Sequence, residues 1–146
     1  MSGRTTDDGS YLTPRPEHAR VVDAMRRGIL SCRADASLRD AARTMCSQHV
    51  HMIVVTNPSD GSPLGVLSDG ALLGALLDRS AQDRPLEDVM DRGLDTVSSD
   101  ESLTVAAELM RDRGTAHLII RDAHSGRPVG VLSTLDVAGI LAWGEA

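Results

Sequence analysis

Phenylalanine and lysine are absent from this chain of 146 residues, and its aromatic side chains come down to Tyr11 and Trp143. With 41% of residues hydrophobic, a core is available, but it has to be aliphatic, built from Val, Leu, Ile, Met and Ala. A flat ligand would be gripped by aliphatic walls and backbone rather than by a stack of rings. All fifteen basic residues are Arg, and the formal net charge is −6. That balance argues against nucleic-acid binding, which needs a basic surface to neutralise phosphates. Cysteine is scarce too. Cys32 and Cys46 form no CxxC pair, and two in a chain of this size do not make a disulfide framework, so a reducing compartment is expected. No apolar run approaches a membrane span, and the polar start MSGRTTDDGS lacks the pattern of a secretory signal. A cytoplasmic protein with no membrane partner is the expectation. GxSxG, HExxH and the P-loop lysine are all missing, so no catalytic residue can be named and no enzyme activity is expected.

What is present is written twice. Residues 22–77 align on 87–142 at a constant offset of 65, without a gap. Asp23 falls on Asp88, Met25 on Met90, Asp35 on Asp100, Ser37-Leu38 on Ser102-Leu103, and Met45 on Met110. Gly65-Val66-Leu67-Ser68 falls on Gly130-Val131-Leu132-Ser133. Such duplication means one supersecondary unit used twice.

Each copy gives the same elements. A short helix, VVDAM or LEDVM, is expected to stop at Gly28 or Gly93, where a C-terminal glycine ends a helix. Extended residues follow, ILSC or LDTV. Next comes a helix with Leu38, Ala41, Ala42 and Met45 on one face, matched by Leu103, Ala106, Ala107 and Met110. HMIVVTNPSDGSPLGVLS and HLIIRDAHSGRPVGVLS then read as β-hairpins, with Val and Ile in strands and Asn-Pro, Asp-Gly and Ser-Gly at turns. DGALLGALLDR and TLDVAGILAW close the copies as helices. The fold class is α/β (α+β): two repeated β-α-β-β-α units about a pseudo-two-fold axis, with equivalent clefts between them. The expected bounds are a flexible leader at 1–17, a first unit at 18–79, a linker at 80–85 and a second unit at 86–146.

The copies diverge where chemistry would sit. Ser133 is followed three residues later by Asp136, whereas Ser68 is followed by Ala71. S-x-x-D at a helix start spells a capping box that needs no ligand. The same arrangement suits a nucleoside: free N–H groups at the helix start favour phosphate, and an acid there can accept both hydroxyls of a vicinal diol. Asp69, two positions from Ala71, points about 200° around the helix from the place of Asp136's counterpart. One competent cleft, built mainly by the second copy, and one degenerate cleft are expected. Cys46, His49 and His51 form a C-x-x-H-x-H run of residue types that suit zinc, but a fourth ligand is missing nearby and no metal site is assigned. Trp143, at the end of the last helix, is placed against the paired units or a partner chain.

The M-x-x-G start, the D-x-S-L helix entry, the HLII strand and the GVLS-x-x-D ending, in this order and duplicated, resemble the CBS domain. The whole resembles a tandem CBS pair, or Bateman module, over about residues 18–142. The resemblance implies a non-catalytic regulatory module that binds an adenine nucleotide (AMP, ADP or ATP) or S-adenosylmethionine in the inter-domain cleft and requires no cofactor. It further implies a homodimer and a separate regulated protein. Carried onto this sequence, it places Ser133 near phosphate and Asp136 on the ribose, with Thr134 between them in the ligand-binding set, and Thr96, Val97, His117 and Leu118 around the adenine. The alternatives are a ligand-independent dimerisation and protein-interaction module, and a metal-responsive module using Cys46, His49 and His51.

Overall fold

The structure is a computed structural model and describes residues 4–5 and 11–144. Much of the expected leader, 1–17, therefore lies outside the described residues. Strands β1 (Arg4–Thr5) and β2 (Tyr11–Leu12) pair antiparallel. The chain falls into two compact units, one spanning Leu30–Leu94, the other joining the described residues up to Ile29, β1 and β2 included, with those from Asp95 onward. The α+β class and the repeated unit are as the sequence indicates.

In the second of these units, α1 (Val21–Ala24) leads into β3 (Arg26–Arg27). The expected stop at Gly28 comes too late. Met25 already turns extended, at φ −62° and ψ 153°, and Arg26–Arg27 pair with a strand. Gly28, at φ +93°, takes the turn that follows. The Leu30–Leu94 unit then runs β4 (Ser31–Arg33), α2 (Leu38–Gln48), β5 (Met52–Thr56), β6 (Pro63–Ser68), α3 (Asp69–Leu77), a single 3-10 turn at Arg79–Ala81 and α4 (Leu86–Val89). Its sheet has the order β4-β5-β6. The other unit continues with β7 (Thr96–Ser98), α5 (Leu103–Arg113), β8 (His117–Arg121), β9 (Pro128–Ser133) and α6 (Thr134–Trp143). Its sheet has the order β3-β9-β8-β7.

Each unit buries the predicted helix face against its sheet. Leu103, Ala106 and Met110 of α5 pack with Leu118, Ile120 and Leu132. Leu38, Ala41 and Met45 of α2 pack with Ile53, Val55 and Leu67. Ser37 and Ser102 cap these helices, their hydroxyls accepting from the N–H groups of Asp40 and Val105. Such caps satisfy donors that the helix itself leaves unpaired.

The short leading helices are exchanged relative to chain order. α1 precedes the first copy in sequence but packs with the second: Val21 and Val22 donate to the carbonyls of Glu101 and Ser99, and Val21, Ala24 and Met25 join the α5–α6 core. α4, written before the second copy, packs with the first, where Leu86 donates to the Ala36 carbonyl and is fully buried. Glycine makes the exchange possible. β3 lies over Gly130, where a Cβ would strike the Arg26 carbonyl oxygen; on Gly65 it would strike that of Asp91.

Gly130→Ala should therefore lower stability by about 1–3 kcal/mol, the cost of forcing an atom into a packed contact, measured by urea denaturation. The α2 C-cap gives a change of opposite sign. His49 is left-handed at φ 54°, where the second copy has Gly114 at φ 61°. His49→Gly should raise stability by about 1 kcal/mol in the same assay, because glycine adopts this conformation without a Cβ penalty.

Candidate nucleoside site in the second copy

Strand register sorts the expected residues. His117 pairs with Ser133 and Leu118 with Leu132, while Ile119 and Ile120 pair with Val131 and Gly130. β7 runs parallel to β8, Thr96 beside Ile119 and Val97 beside Ile120. Side chains alternate across a pleated sheet, so Val97 and Leu118 share the helix-covered face, and both belong to the core. Any contact they make with a ligand has to come from backbone. Thr96, His117 and Ser133 share the opposite face.

Ser133 is also the N-cap of α6, and the capping box is formed. The Asp136 N–H donates to Ser133 Oγ at 3.3 Å. One carboxylate oxygen, Asp136 Oδ2, accepts from Ser133 N at 2.9 Å and from Ser133 Oγ at 3.0 Å. The other, Oδ1, lies 3.7 Å from Nε of Arg26, and only 11% of the Asp136 side chain is exposed. Thr134, the first helical residue, is exposed, and its N–H donates to the Ala116 carbonyl. That bond ties the helix start to the turn before β8, where Thr115 Oγ1 accepts from the N–H of His117 and donates to its carbonyl. Backbone and caps thus fix the approach to this face.

Arg26 was not legible as a site residue from the motifs alone. It reaches this face because β3 pairs with β9, setting Arg26 opposite Val131. The repeat carried the signal: the offset of 65 matches Arg26 with Asp91, and His117 with Met52. The structure keeps those equivalences. Met52 pairs with Ser68 as His117 pairs with Ser133, and Asp91 bridges Val66 as Arg26 pairs with Val131. In the first copy, then, Met52, Ala71 and Asp91 stand where the second has His117, Asp136 and Arg26. Ser68 makes no side-chain cap bond there, and Asp69 faces His51 at 3.3 Å.

A concavity of about 430 Å³ lies between the end of α5 and the start of α6, walled by Met110, Arg111, Thr115, Thr134 and Val137 among others. Of the expected residues it takes only Thr134. It holds no carboxylate to accept a diol; the Asp136 carboxylate lies outside it. Arg111 borders this concavity, Arg113 pairs with Asp95 at 3.7 Å, and Arg121 is exposed at the far end of β8.

The C-x-x-H-x-H run does not converge. Cys46 is exposed, His49 caps α2 and His51 faces Asp69. Among the described residues no three His, Cys, Asp or Glu side chains gather as metal ligands. Cys32 is half-buried, and burial pushes its thiol above the usual range, the direction that makes a thiol less reactive. Trp143 is 65% exposed. Among the described residues, no helix is long and apolar enough to cross a membrane.

Comparison with known structures agrees with this architecture. The chain is similar to a CBS-domain protein from Pyrobaculum aerophilum complexed with AMP: 27% identity, TM-score 0.76, covering 85% of this chain and 96% of that one. It is also similar to the CBS-domain-containing protein from Agrobacterium tumefaciens, with 21% identity, TM-score 0.74 and coverage of 83% and 90%. A third is the CBS domain pair of protein MJ0100 in complex with 5′-methylthioadenosine and S-adenosyl-L-methionine, with 18% identity, TM-score 0.75 and coverage of 85% and 96%. Among curated proteins no match was found. The CBS domain family matches twice, over residues 21–78 and 86–142; the chain belongs to that family and is a tandem CBS pair.

Proposed function

We propose that this chain is a non-catalytic sensing module that binds an adenosyl ligand, an adenine nucleotide or S-adenosylmethionine, at the second-copy site. Asp136 takes the ribose hydroxyls, Ser133 and Thr134 lie toward phosphate, and Thr96, His117 and the backbone of Val97 and Leu118 border the adenine. The observation that carries the reading is the Asp136 carboxylate, held at the start of α6 with Oδ1 turned from its cap, at a position where the first copy has Ala71. The relative at 27% identity that is complexed with AMP supports the ligand class. No cofactor is needed for this role. Cys32 and Cys46, both free, fit a reducing, cytoplasmic setting.

A second reading, association without a ligand, draws on a different observation. α3 exposes Leu73, Leu76 and Leu77, the last 89% exposed, and α6 exposes Leu135, Leu141 and Trp143. Helices with apolar residues on nearly every side are normally covered. We assign these surfaces to a homodimer. The two readings join if the ligand favours one pairing of subunits, which it can do only by binding that state more tightly. A separate regulated protein is the other recipient of such a change.

Thermal unfolding tests the ligand. AMP, ADP, ATP or S-adenosylmethionine at about 100 times its dissociation constant adds roughly 2.7 kcal/mol, which raises Tm by several degrees in a chain of this size. Asp136→Ala should remove the shift and Asp69→Ala should keep it; equal losses would refute a single second-copy site. Sedimentation equilibrium tests the dimer. The wild-type chain should run as a dimer and a Leu76→Glu/Leu141→Glu double variant as a monomer. A monomeric wild-type chain would remove that assignment.

A further inference from the structure

From the surroundings of Arg26 we infer that this residue makes the second-copy site selective for phosphate-bearing adenosyl ligands over uncharged nucleosides and sulfonium cations. The inference rests on the proposed adenosyl site and narrows its ligand class.

Three observations lead to it. Pairing of β3 with β9 sets Arg26 opposite Val131, on the same sheet face as Ser133, His117 and Thr96. Its Nε lies 3.7 Å from Asp136 Oδ1, the carboxylate oxygen that the cap does not use, and 64% of its side chain is exposed. The repeat changes both partners together. Where the second copy has Arg26 and Asp136, the first has Asp91 and Ala71, and Asp91 turns its Oδ1 to the Gly93 N–H at 2.9 Å. The first copy has an anion where the second has a cation, and it also lacks a carboxylate at the diol position.

The chemistry follows from what binding does to the pair. A ribose diol donates hydrogen bonds to Asp136 Oδ1 and competes with Arg26 for that fixed oxygen. The guanidinium then stands beside the ribose with five donors and a full charge. A phosphate on the same sugar offers it a bidentate, charge-assisted partner. An uncharged nucleoside leaves the guanidinium facing water, and in S-adenosylmethionine the sulfonium on C5′ brings a like charge nearest the ribose, with its carboxylate several bonds further out than a 5′-phosphate. Because the Arg26 side chain reaches solvent and belongs to a two-residue strand, it can swing from carboxylate to phosphate without moving the core.

Isothermal titration of the whole chain with AMP, adenosine and S-adenosylmethionine tests this, using wild type, Arg26→Gln and Arg26→Lys, each checked by circular dichroism. Wild type should bind AMP about ten-fold more tightly than adenosine, the worth of one charge-assisted contact. Arg26→Gln should bring that ratio to about one while leaving adenosine affinity in place, and Arg26→Lys should keep part of the preference. Weakening S-adenosylmethionine binding by the same factor as AMP in Arg26→Gln would contradict selectivity for phosphate. Equal loss of AMP and adenosine, or a ratio unchanged by Arg26→Gln, would mean that Arg26 serves structure only and would overturn the inference alone. Failure of wild type to bind any of the three would overturn the adenosyl site itself.

Discussion

Asp136 has two carboxylate oxygens, and the start of α6 uses one of them. Oδ2 accepts from both the N–H and the hydroxyl of Ser133, so the side chain cannot rotate freely and Oδ1 is fixed in direction. That oxygen faces Arg26, on the sheet face that also carries His117 and Thr96. A capping box and a ligand acceptor are two explanations of S-x-x-D. In the proposed site one serves the other. The cap positions the carboxylate in advance, so a ligand loses little in ordering it.

The position of Arg26 depends on the exchange of leading segments. α1 and β3 stand before the first copy in the chain yet complete the sheet and core of the second. Backbone contact at Gly130 allows this, since a side chain there would meet the Arg26 carbonyl. The same device recurs at Gly65 with Asp91. A short edge strand delivered from elsewhere in the sequence thus brings a charge to the sheet face of the proposed site, whose other residues lie between positions 96 and 136. The repeat makes two such places, and they are chemically unlike: His117, Asp136 and Arg26 in one, Met52, Ala71 and Asp91 in the other.

Much of the fold was legible because the signals were local. The Leu38, Ala41 and Met45 spacing and its counterpart in α5 gave buried helix faces, and the Val- and Ile-rich runs gave the hairpins. The ends of both α1 and α4 were misread: the helices stop where Met25 and Met90 turn extended, Gly28 marks a turn after β3, and Gly93 lies beyond the end of α4. The exchange of α1 and α4 was invisible, since no local pattern says which copy a four-residue helix will join. In the site, Ser133 and Asp136 were legible as a motif, with their geometry as a capping box. The split of Thr96 and His117 from Val97 and Leu118 needed strand register, which alternation alone could have supplied. Arg26 needed tertiary pairing, though its mismatch with Asp91 in the repeat was a readable sign.

The central claim is that recognition is concentrated where an acid caps the start of the last helix, and that the equivalent place in the first copy, with Ala71, has no such acid. A crystal structure of the chain grown with AMP tests it most directly. The account predicts ribose hydroxyls on Asp136 Oδ1 with the groove beside Ser68 and Ala71 empty. Nucleotide bound beside Ser68 and Ala71, with Asp136 still facing Arg26, would contradict it.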